Sequence, residues 1–169
     1  LRDLLKFEFF FPPKDEFCAE LQREVSLHET GWESGLGGNG AEGLELLRRF
    51  RPFSSHRVLR PFLEAYQVVG EVLAQADPSA EIETEPLLNR CLGLGRQYVL
   101  QQRIRSPESV SKVLFQTALE LARNRDLVEP GATDLRERRE AFAEELRGVV
   151  RRIEAVDALA ASRRAGLID

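Results

Sequence analysis

The sequence contains two histidines, His28 and His56, and these are its first candidates for a general base at neutral pH. His28 stands five residues before Glu33, in the segment H-E-T-G-W-E. A histidine and an acid at that spacing could pair, but a glycine-rich stretch borders the segment, so a pre-organised pair is not expected. His56 lies among arginines, and this setting favours a role in binding over a role in catalysis. The sequence therefore assigns no catalytic residue to this chain.

A basic patch surrounds His56. The segment 44–60 has five arginines and one acid, Glu45, although the net charge of the chain is −4, which leaves −8 on the rest. Guanidinium forks suit phosphate groups, whether in a lipid head group, in coenzyme A or in glycerol phosphate. Alternatively, these arginines pair with acids of a neighbouring domain or are solvated. The candidates for phosphate or lipid contact are Arg48, Arg49, Arg51, His56, Arg57 and Arg60.

The sequence gives no support for several other kinds of functional site. Two lone cysteines, Cys18 and Cys91, and two distant histidines form no metal-ligand cluster, so no metal is expected. The segment 35–40 matches the dinucleotide fingerprint G-x-G-x-x-G by letter but follows no apolar strand, so no cofactor is expected. The net charge argues against a general nucleic-acid binder. With no run of ~20 apolar residues, any membrane attachment is expected to be peripheral or supplied by another part of a parent protein.

The elements that must position these residues are predicted to be helices. Apolar spacing predicts a mainly α fold: a multi-helix bundle with a long C-terminal helix and at most minor β structure near the N-terminus. Gly93 and Gly95 interrupt one helix at a cost of ~1 kcal/mol each relative to alanine, which predicts close approach by another helix. Helices are predicted over about 13–27, 44–50, 58–76, 86–98, 106–125 and 134–164.

We divide the chain at residue 130. Residues 1–130 are predicted to form a helical accessory domain with a flexible glycine-rich loop at 31–43 and an acidic linker at 77–85. Residues 131–169 are predicted to hold the long helix, packed on this domain or on a partner domain. Its other faces carry eight arginines and seven acids, typical of a solvated face with ion pairs. One apolar stripe runs along it: Leu135, Phe142, Leu146, Val149, Ile153, Val156 and Leu159.

The N-terminal segment is apolar and ambiguous in type. Leu1, Leu4 and Leu5 favour a helix, whereas the phenylalanines alternate as in a strand. Because such a segment forms an exposed apolar patch when isolated, we expect it to contact another domain. The interface candidates are Phe7, Phe9, Phe10 and Phe11.

Three stretches, at 4–11, 56–66 and 105–112, carry a resemblance. They are L-L-K-F-E-F-F-F, H-R-V-L-R-P-F-L-E-A-Y and R-S-P-E-S-V-S-K. In order and spacing, over most of residues 1–150, they resemble the C-terminal region of bacterial glycerol-3-phosphate 1-O-acyltransferases of the long, actinobacterial type. That family transfers an acyl group from an acyl thioester to the 1-hydroxyl of glycerol 3-phosphate, giving lysophosphatidic acid.

The resemblance also implies what this chain lacks. The family uses a histidine base in an H-x4-D motif and a phosphate-handling motif near P-E-G-T-R-S-R, and neither occurs here. Since the sequence also has no methionine, we expect a fragment whose catalytic half lies upstream. The resemblance implies a C-terminal accessory domain that partners the acyltransferase domain of the same polypeptide, in phospholipid biosynthesis at the cytoplasmic face of the cell membrane.

Two alternatives stay open. The chain could be a free-standing helical adaptor that binds a protein through the long helix. It could also be a peripheral module that binds an anionic membrane surface through the arginine patch.

Overall fold

The computed structural model describes residues 1–37, 40–50 and 55–166. Within these ranges the chain forms α-helices and one 3-10 turn and no β-strand, so the prediction of a mainly α bundle with a long C-terminal helix is confirmed. In chain order the elements are α1 (Lys14–His28), α2 (Trp32–Gly37), α3 (Gly40–Phe50), α4 (Ser55–Ala74), α5 (Thr84–Leu100), the 3-10 turn (Pro107–Ser109), α6 (Lys112–Asn124) and α7 (Leu135–Arg164).

Helix α4 is the centre of the bundle. It packs against α5, α6, α7 and the 3-10 turn. Apolar side chains on more than one face explain this position, because a helix that is apolar all round is buried on all sides. Pro61 lies inside α4, one turn and a half from its first described residue. The fully or nearly fully buried apolar residues of α4 are Leu63, Ala65, Tyr66, Val68, Val69, Val72 and Leu73.

Helix α7 lies along α4 through its apolar stripe. Phe142, Leu146 and Ile153 are buried at the spacing predicted for this stripe. The two backbones come close at Gly70, where an added Cβ atom would lie 2.8 Å from Leu146 Cδ1 and 3.4 Å from Ala143 Cα. The stripe is therefore covered by the chain's own core.

A loop between α5 and α6 is held on α4 by two buried glutamates. Glu64 accepts hydrogen bonds from the backbone N–H groups of Arg105 and Ser106, both at 3.1 Å. Glu71 accepts a hydrogen bond from the Tyr98 hydroxyl near the end of α5, and its Oε1 lies 3.5 Å from Nη2 of Arg103 in the loop. This anchoring explains a difference from the prediction of one helix over 106–125. The segment forms a 3-10 turn at Pro107–Ser109 and starts α6 only at Lys112.

The two glycines of α5 have different surroundings. An added Cβ atom at Gly95 would lie 3.2 Å from Val110 Cγ2 and 3.4 Å from Phe115 Cζ, whereas Gly93 has no atom that close. The predicted close approach therefore holds for Gly95 and is wrong for Gly93.

The described part of the predicted glycine-rich loop at 31–43 is helical except for a turn at Gly31. Trp32–Gly37 belongs to α2, and α3 begins at Gly40, earlier than the predicted start near residue 44. Packing gives the reason: a Cβ atom at Gly35 would lie 3.3 Å from Leu46 Cδ2. The small residue lets α2 and α3 approach each other, which offsets the poor helix propensity of glycine.

Helix α1 is exposed along its length. None of its residues is buried, and Leu21 and Leu27 are 53% and 74% exposed. Cys18 on α1 is exposed, whereas Cys91 on α5 is buried in the core. Burial raises the pKa of the Cys91 thiol to about 12.

Arg139 on α7 is fully buried in the bundle. Its Nε donates to Leu127 O at 2.7 Å and its Nη2 donates to Val128 O at 3.0 Å. Its Nη1 lies 3.5 Å from each of the carbonyl oxygens of Ala76 and Asp77. One side chain thus joins α7 to the turns that follow α4 and α6.

Candidate functional site

Four cationic or titratable side chains converge on one carboxylate, that of Asp157 on α7. His56 Nε2 lies 3.0 Å from Oδ1, and Arg57 Nε lies 3.3 Å from the same oxygen. Arg60 Nη2 and Arg105 Nη1 lie 3.3 and 3.7 Å from Oδ2. We call these five residues the Asp157 cluster.

Helix α4 positions most of this cluster. His56 and Arg60 are one turn apart and point to the same side of the helix, toward the last third of α7. Arg57 is the next residue after His56 and reaches the same carboxylate from a half-exposed position. Arg105 comes from the loop that Glu64 holds by the adjacent backbone N–H groups.

A second carboxylate, that of Glu64, lies next to the Asp157 cluster. Besides its two backbone hydrogen bonds, it accepts one from Ser109 Oγ at 2.8 Å. Its Oε1 lies 3.7 Å from Arg60 Nη1. Because three other donors already use this carboxylate, it offers little more than its charge to Arg60.

Three buried nitrogen atoms of the cluster, two on Arg60 and one on His56, lack a hydrogen-bond partner among the described residues. Arg60 is 5% exposed, and within the described residues neither Nη1 nor Nη2 makes a hydrogen bond, although both lie near carboxylates. The contacts at 3.3 and 3.7 Å are ion pairs without hydrogen-bond geometry. His56 is 8% exposed, and its Nδ1 has no partner among the described residues either. Native proteins satisfy most such groups, so these exceptions require an explanation.

The cluster stabilises the ionised form of Asp157 and carries an excess of positive charge. The hydrogen bond from His56, followed by that from Arg57, holds the pKa of Asp157 below its usual value, although partial burial acts against this. Asp157 thus stays ionised at neutral pH. Three guanidinium groups face two carboxylates, which leaves one positive charge uncompensated.

The arrangement suits the binding of an anion better than proton transfer. A general base must come within hydrogen-bond reach of the proton that it takes. His56 uses Nε2 for Asp157, and its Nδ1 is buried. By contrast, Arg57 and Arg105 are about half exposed and have free donors on their forks.

The structure separates the predicted arginine patch. His56, Arg57 and Arg60 come together, whereas Arg49 pairs with Glu29 at 2.7 Å and lies 3.8 Å from Glu45. The side chain of Arg48 and the whole of Arg51 lie outside the described residues.

Sequence reasoning missed Asp157, Glu64 and Arg105. A signal for Asp157 was present, because it lies four residues after Ile153 and three before Ala160, on the apolar stripe of α7. A charge at such a position is buried and needs a partner. Arg105 carries no comparable signal, since a loop brings it in.

The four N-terminal phenylalanines divide into two pairs. Phe9 and Phe11 are partly buried: the Phe9 ring lies 5.1 Å from that of Phe62, and Phe11 lies 5.6 Å from Phe17. Phe7 is 43% exposed and Phe10 is 96% exposed. The backbone around them forms turns, with Glu8 N and Phe9 N both bonded to Leu5 O. Neither the helix nor the strand that the sequence left open is present there.

Two other kinds of feature are absent from the described residues. None of the helices described is long and apolar enough to cross a membrane. No group of three or more His, Cys, Asp or Glu side chains in residues 1–37, 40–50 and 55–166 could hold a metal ion.

Comparison with known proteins identifies relatives. Residues 1–131 match the family model described as "Glycerol-3-phosphate acyltransferase C-terminal region". Proteins named "Putative acyltransferase plsB1" from Mycobacterium bovis (strain ATCC BAA-935 / AF2122/97) and Mycobacterium tuberculosis (strain ATCC 25618 / H37Rv) are each 42% identical over 161 residues. The match covers 95% of this chain and 26% of each relative, so the chain spans about a quarter of their length. No solved structure matches significantly.

Proposed function

The chain belongs to the family of glycerol-3-phosphate acyltransferase C-terminal regions, and on that premise we propose that it is an accessory module that packs against an acyltransferase domain of the same polypeptide. In this proposal the parent protein transfers an acyl group from an acyl thioester to the 1-hydroxyl of glycerol 3-phosphate, giving lysophosphatidic acid. The parent would act in phospholipid biosynthesis, associated peripherally with the cytoplasmic face of the cell membrane.

The extreme exposure of Phe10 carries the proposal. Fully burying a phenylalanine side chain is worth about 1.5–3 kcal/mol relative to leaving it in water. Phe10 is nevertheless 96% exposed, and Phe7 beside it is 43% exposed. Phe10 and the exposed part of Phe7 give the N-terminal turn an apolar surface that the described part of the chain leaves open to solvent.

Helix α1 has a second, partly exposed apolar face. Phe17, Leu21 and Val25 stand at intervals of four residues and so share one face of the helix. None of them is fully buried, and Leu21 is 53% exposed. A short helix without a buried face is marginal in water by itself. We therefore define a docking surface formed by Phe7, Phe10 and the α1 face of Phe17, Leu21 and Val25.

The family supports an acyltransferase domain as the occupant of this surface. The match is to a C-terminal region, and the relatives are about four times as long as this chain. An interface within one polypeptide also needs no high intrinsic affinity, because the linker supplies a high effective concentration.

The test uses the intact parent protein and a substitution that places a charge on the docking surface. Phe10→Asp is expected to lower glycerol-3-phosphate acyltransferase activity by about tenfold or more, because a buried, unpaired carboxylate costs several kcal/mol at a packed interface. Phe10 is exposed in this chain, so the substitution should leave the chain's own stability nearly unchanged. Acylation of glycerol 3-phosphate from acyl-CoA measures the effect.

Leu100→Asp is the matched control. Leu100 lies at the end of α5 and is 86% exposed. The substitution therefore adds the same charge at an exposed apolar position outside the docking surface. Its activity should equal that of the unmodified protein. Equal activity of the Phe10→Asp protein, together with independent tumbling of the two parts, would contradict the proposal.

A further inference from the structure

The Asp157 cluster has more donors than its carboxylates can satisfy. Arg57, Arg60 and Arg105 each approach Asp157, yet only Arg57 and His56 form hydrogen bonds to it. Arg guanidinium groups have five N–H donors each and no acceptor. The described part of the cluster thus lacks acceptors.

The second carboxylate near the cluster, that of Glu64, has most of its acceptor sites occupied. Glu64 accepts from two backbone N–H groups and from Ser109 Oγ. These bonds fix it on the loop between α5 and α6, so it cannot turn toward the arginines without releasing that loop. The excess of donors is therefore built into the fold.

The buried guanidinium of Arg60 is an independent sign of a missing acceptor. It is more than nine-tenths buried and faces Asp157, yet within the described residues it makes no hydrogen bond through Nη1 or Nη2. A buried charged donor without a hydrogen-bond acceptor costs free energy even when carboxylates lie nearby. An additional anion at this place would satisfy it.

The cluster is open to solvent on the side of its other arginines. The side chains of Arg57 and Arg105 are 51% and 56% exposed, and Asp157 between them is 17% exposed. These residues come from α4, the loop before α6 and α7, and they meet at one carboxylate. A small anion could therefore reach two guanidinium forks from outside, with Arg60 behind them.

We propose that Arg57, Arg60 and Arg105 form a binding site for a phosphate group, in which the phosphate competes with Asp157 for the guanidinium donors. Three forks suit a phosphate group better than a carboxylate, because phosphate offers more terminal oxygens and accepts bidentate contacts from several arginines. The phosphate belongs either to a small soluble monoester or to a lipid head group. This site is independent of the docking surface described above.

The test measures binding of two probes to this 169-residue chain at constant ionic strength. Inorganic phosphate is titrated by calorimetry, and phosphatidylcholine vesicles with and without phosphatidic acid are tested by co-sedimentation. Saturable binding of inorganic phosphate identifies a soluble source. Binding that requires phosphatidic acid in the vesicle and is weak for inorganic phosphate identifies the head group.

Substitutions at the exposed arginines test whether the cluster is the site. Arg57→Gln and Arg105→Gln should each weaken phosphate binding by about tenfold, the effect of one lost charge-assisted hydrogen bond. Arg151→Gln is the control. Arg151 is 62% exposed on α7 and pairs with Glu144, so its substitution removes the same charge outside the Asp157 cluster. It should leave binding unchanged.

Asp157→Asn separates a ligand site from a purely structural ion-pair network. The substitution keeps the shape of the side chain and removes the competing charge, so phosphate should bind several times more tightly. A structural network alone predicts no gain in phosphate affinity, only lower stability.

Three results would overturn the proposal. They are no binding of either probe, binding that Arg57→Gln and Arg105→Gln leave unchanged, and equal binding of acetate at the same ionic strength. The last result would point to a protein carboxylate as the natural occupant.

Discussion

At the scale of single residues, the buried charged side chain of Arg139 makes contacts that hold separate segments together. Arg139 is completely buried and its guanidinium contacts carbonyl oxygens from two separate turns. Burial lowers the pKa of Arg139, and the charge of Asp77 acts against this effect. The buried guanidinium supplies hydrogen bonds to backbone carbonyl oxygens that apolar packing alone would leave without a donor.

We predict that Arg139→Met destabilises the chain by about 3 kcal/mol, because it leaves the carbonyls of Leu127 and Val128 buried and unpaired. The free energy of unfolding from urea denaturation measures the effect. Arg136→Met is the control: Arg136 lies three residues earlier on α7 and is exposed, so its removal should change the stability by less than about 0.5 kcal/mol. Equal effects of both substitutions would contradict the role assigned to Arg139.

The same residues show how far the sequence could predict the site. The apolar stripe of α7 was predicted from its apolar members, and Leu146 and Ile153 are buried as expected. Arg139 and Asp157 occupy positions of that stripe, but a count of charges assigned them to the solvated faces. A charge in register with an apolar stripe indicates a buried pair, and this signal was available. The partners were not predictable, because Arg105 and the carbonyl of Val128 come from loops.

At the scale of helices, close backbone approach fixes how α4 and α7 pack. Gly70 faces Leu146 and Ala143, so even a methyl group there meets a fully buried side chain. Periodicity predicted both helices, but it could not predict which glycine marks the contact. On α5, another helix was expected to approach closely at both Gly93 and Gly95, and only Gly95 lies near another element.

We predict opposite signs for two glycine-to-alanine substitutions. Gly70→Ala should destabilise the chain by about 1–3 kcal/mol, because overpacking at the contact with Leu146 outweighs the gain in helix propensity. Gly93→Ala should stabilise it by up to about 1 kcal/mol, since nothing lies near the added methyl group. Thermal and urea denaturation of both variants measure these effects. A stabilising Gly70→Ala would show that the Leu146 side chain or the two helices can shift at little cost.

At the scale of the whole molecule, the structure has a well-packed body and a poorly packed N-terminal helix. The family match confirms the resemblance found in the sequence, and α4 to α7 supply most of the core. Helix α1 supplies no buried residue. Local stability follows buried apolar contacts, so it should differ strongly between these parts.

We predict that amide hydrogen exchange in α1 is faster than in the buried part of α4 (residues 68–73) by several orders of magnitude. Mass spectrometry of peptic fragments measures the difference. In the intact parent protein α1 should become protected, since the proposed docking surface is then covered. Unchanged fast exchange of α1 in the parent would argue against docking through this helix.

The contact between α4 and α7 also has a consequence for synthesis. Gly70 and Leu146 are 76 residues apart in the sequence, so α4 leaves the ribosome well before the helix that covers it. At roughly 5–20 residues per second, the delay is on the order of 4–15 s. During this time the face of α4 that packs against α7 has no native partner and is open to chaperones or to neighbouring nascent chains. A ribosome that stops before α7 would therefore release a chain that is prone to aggregate.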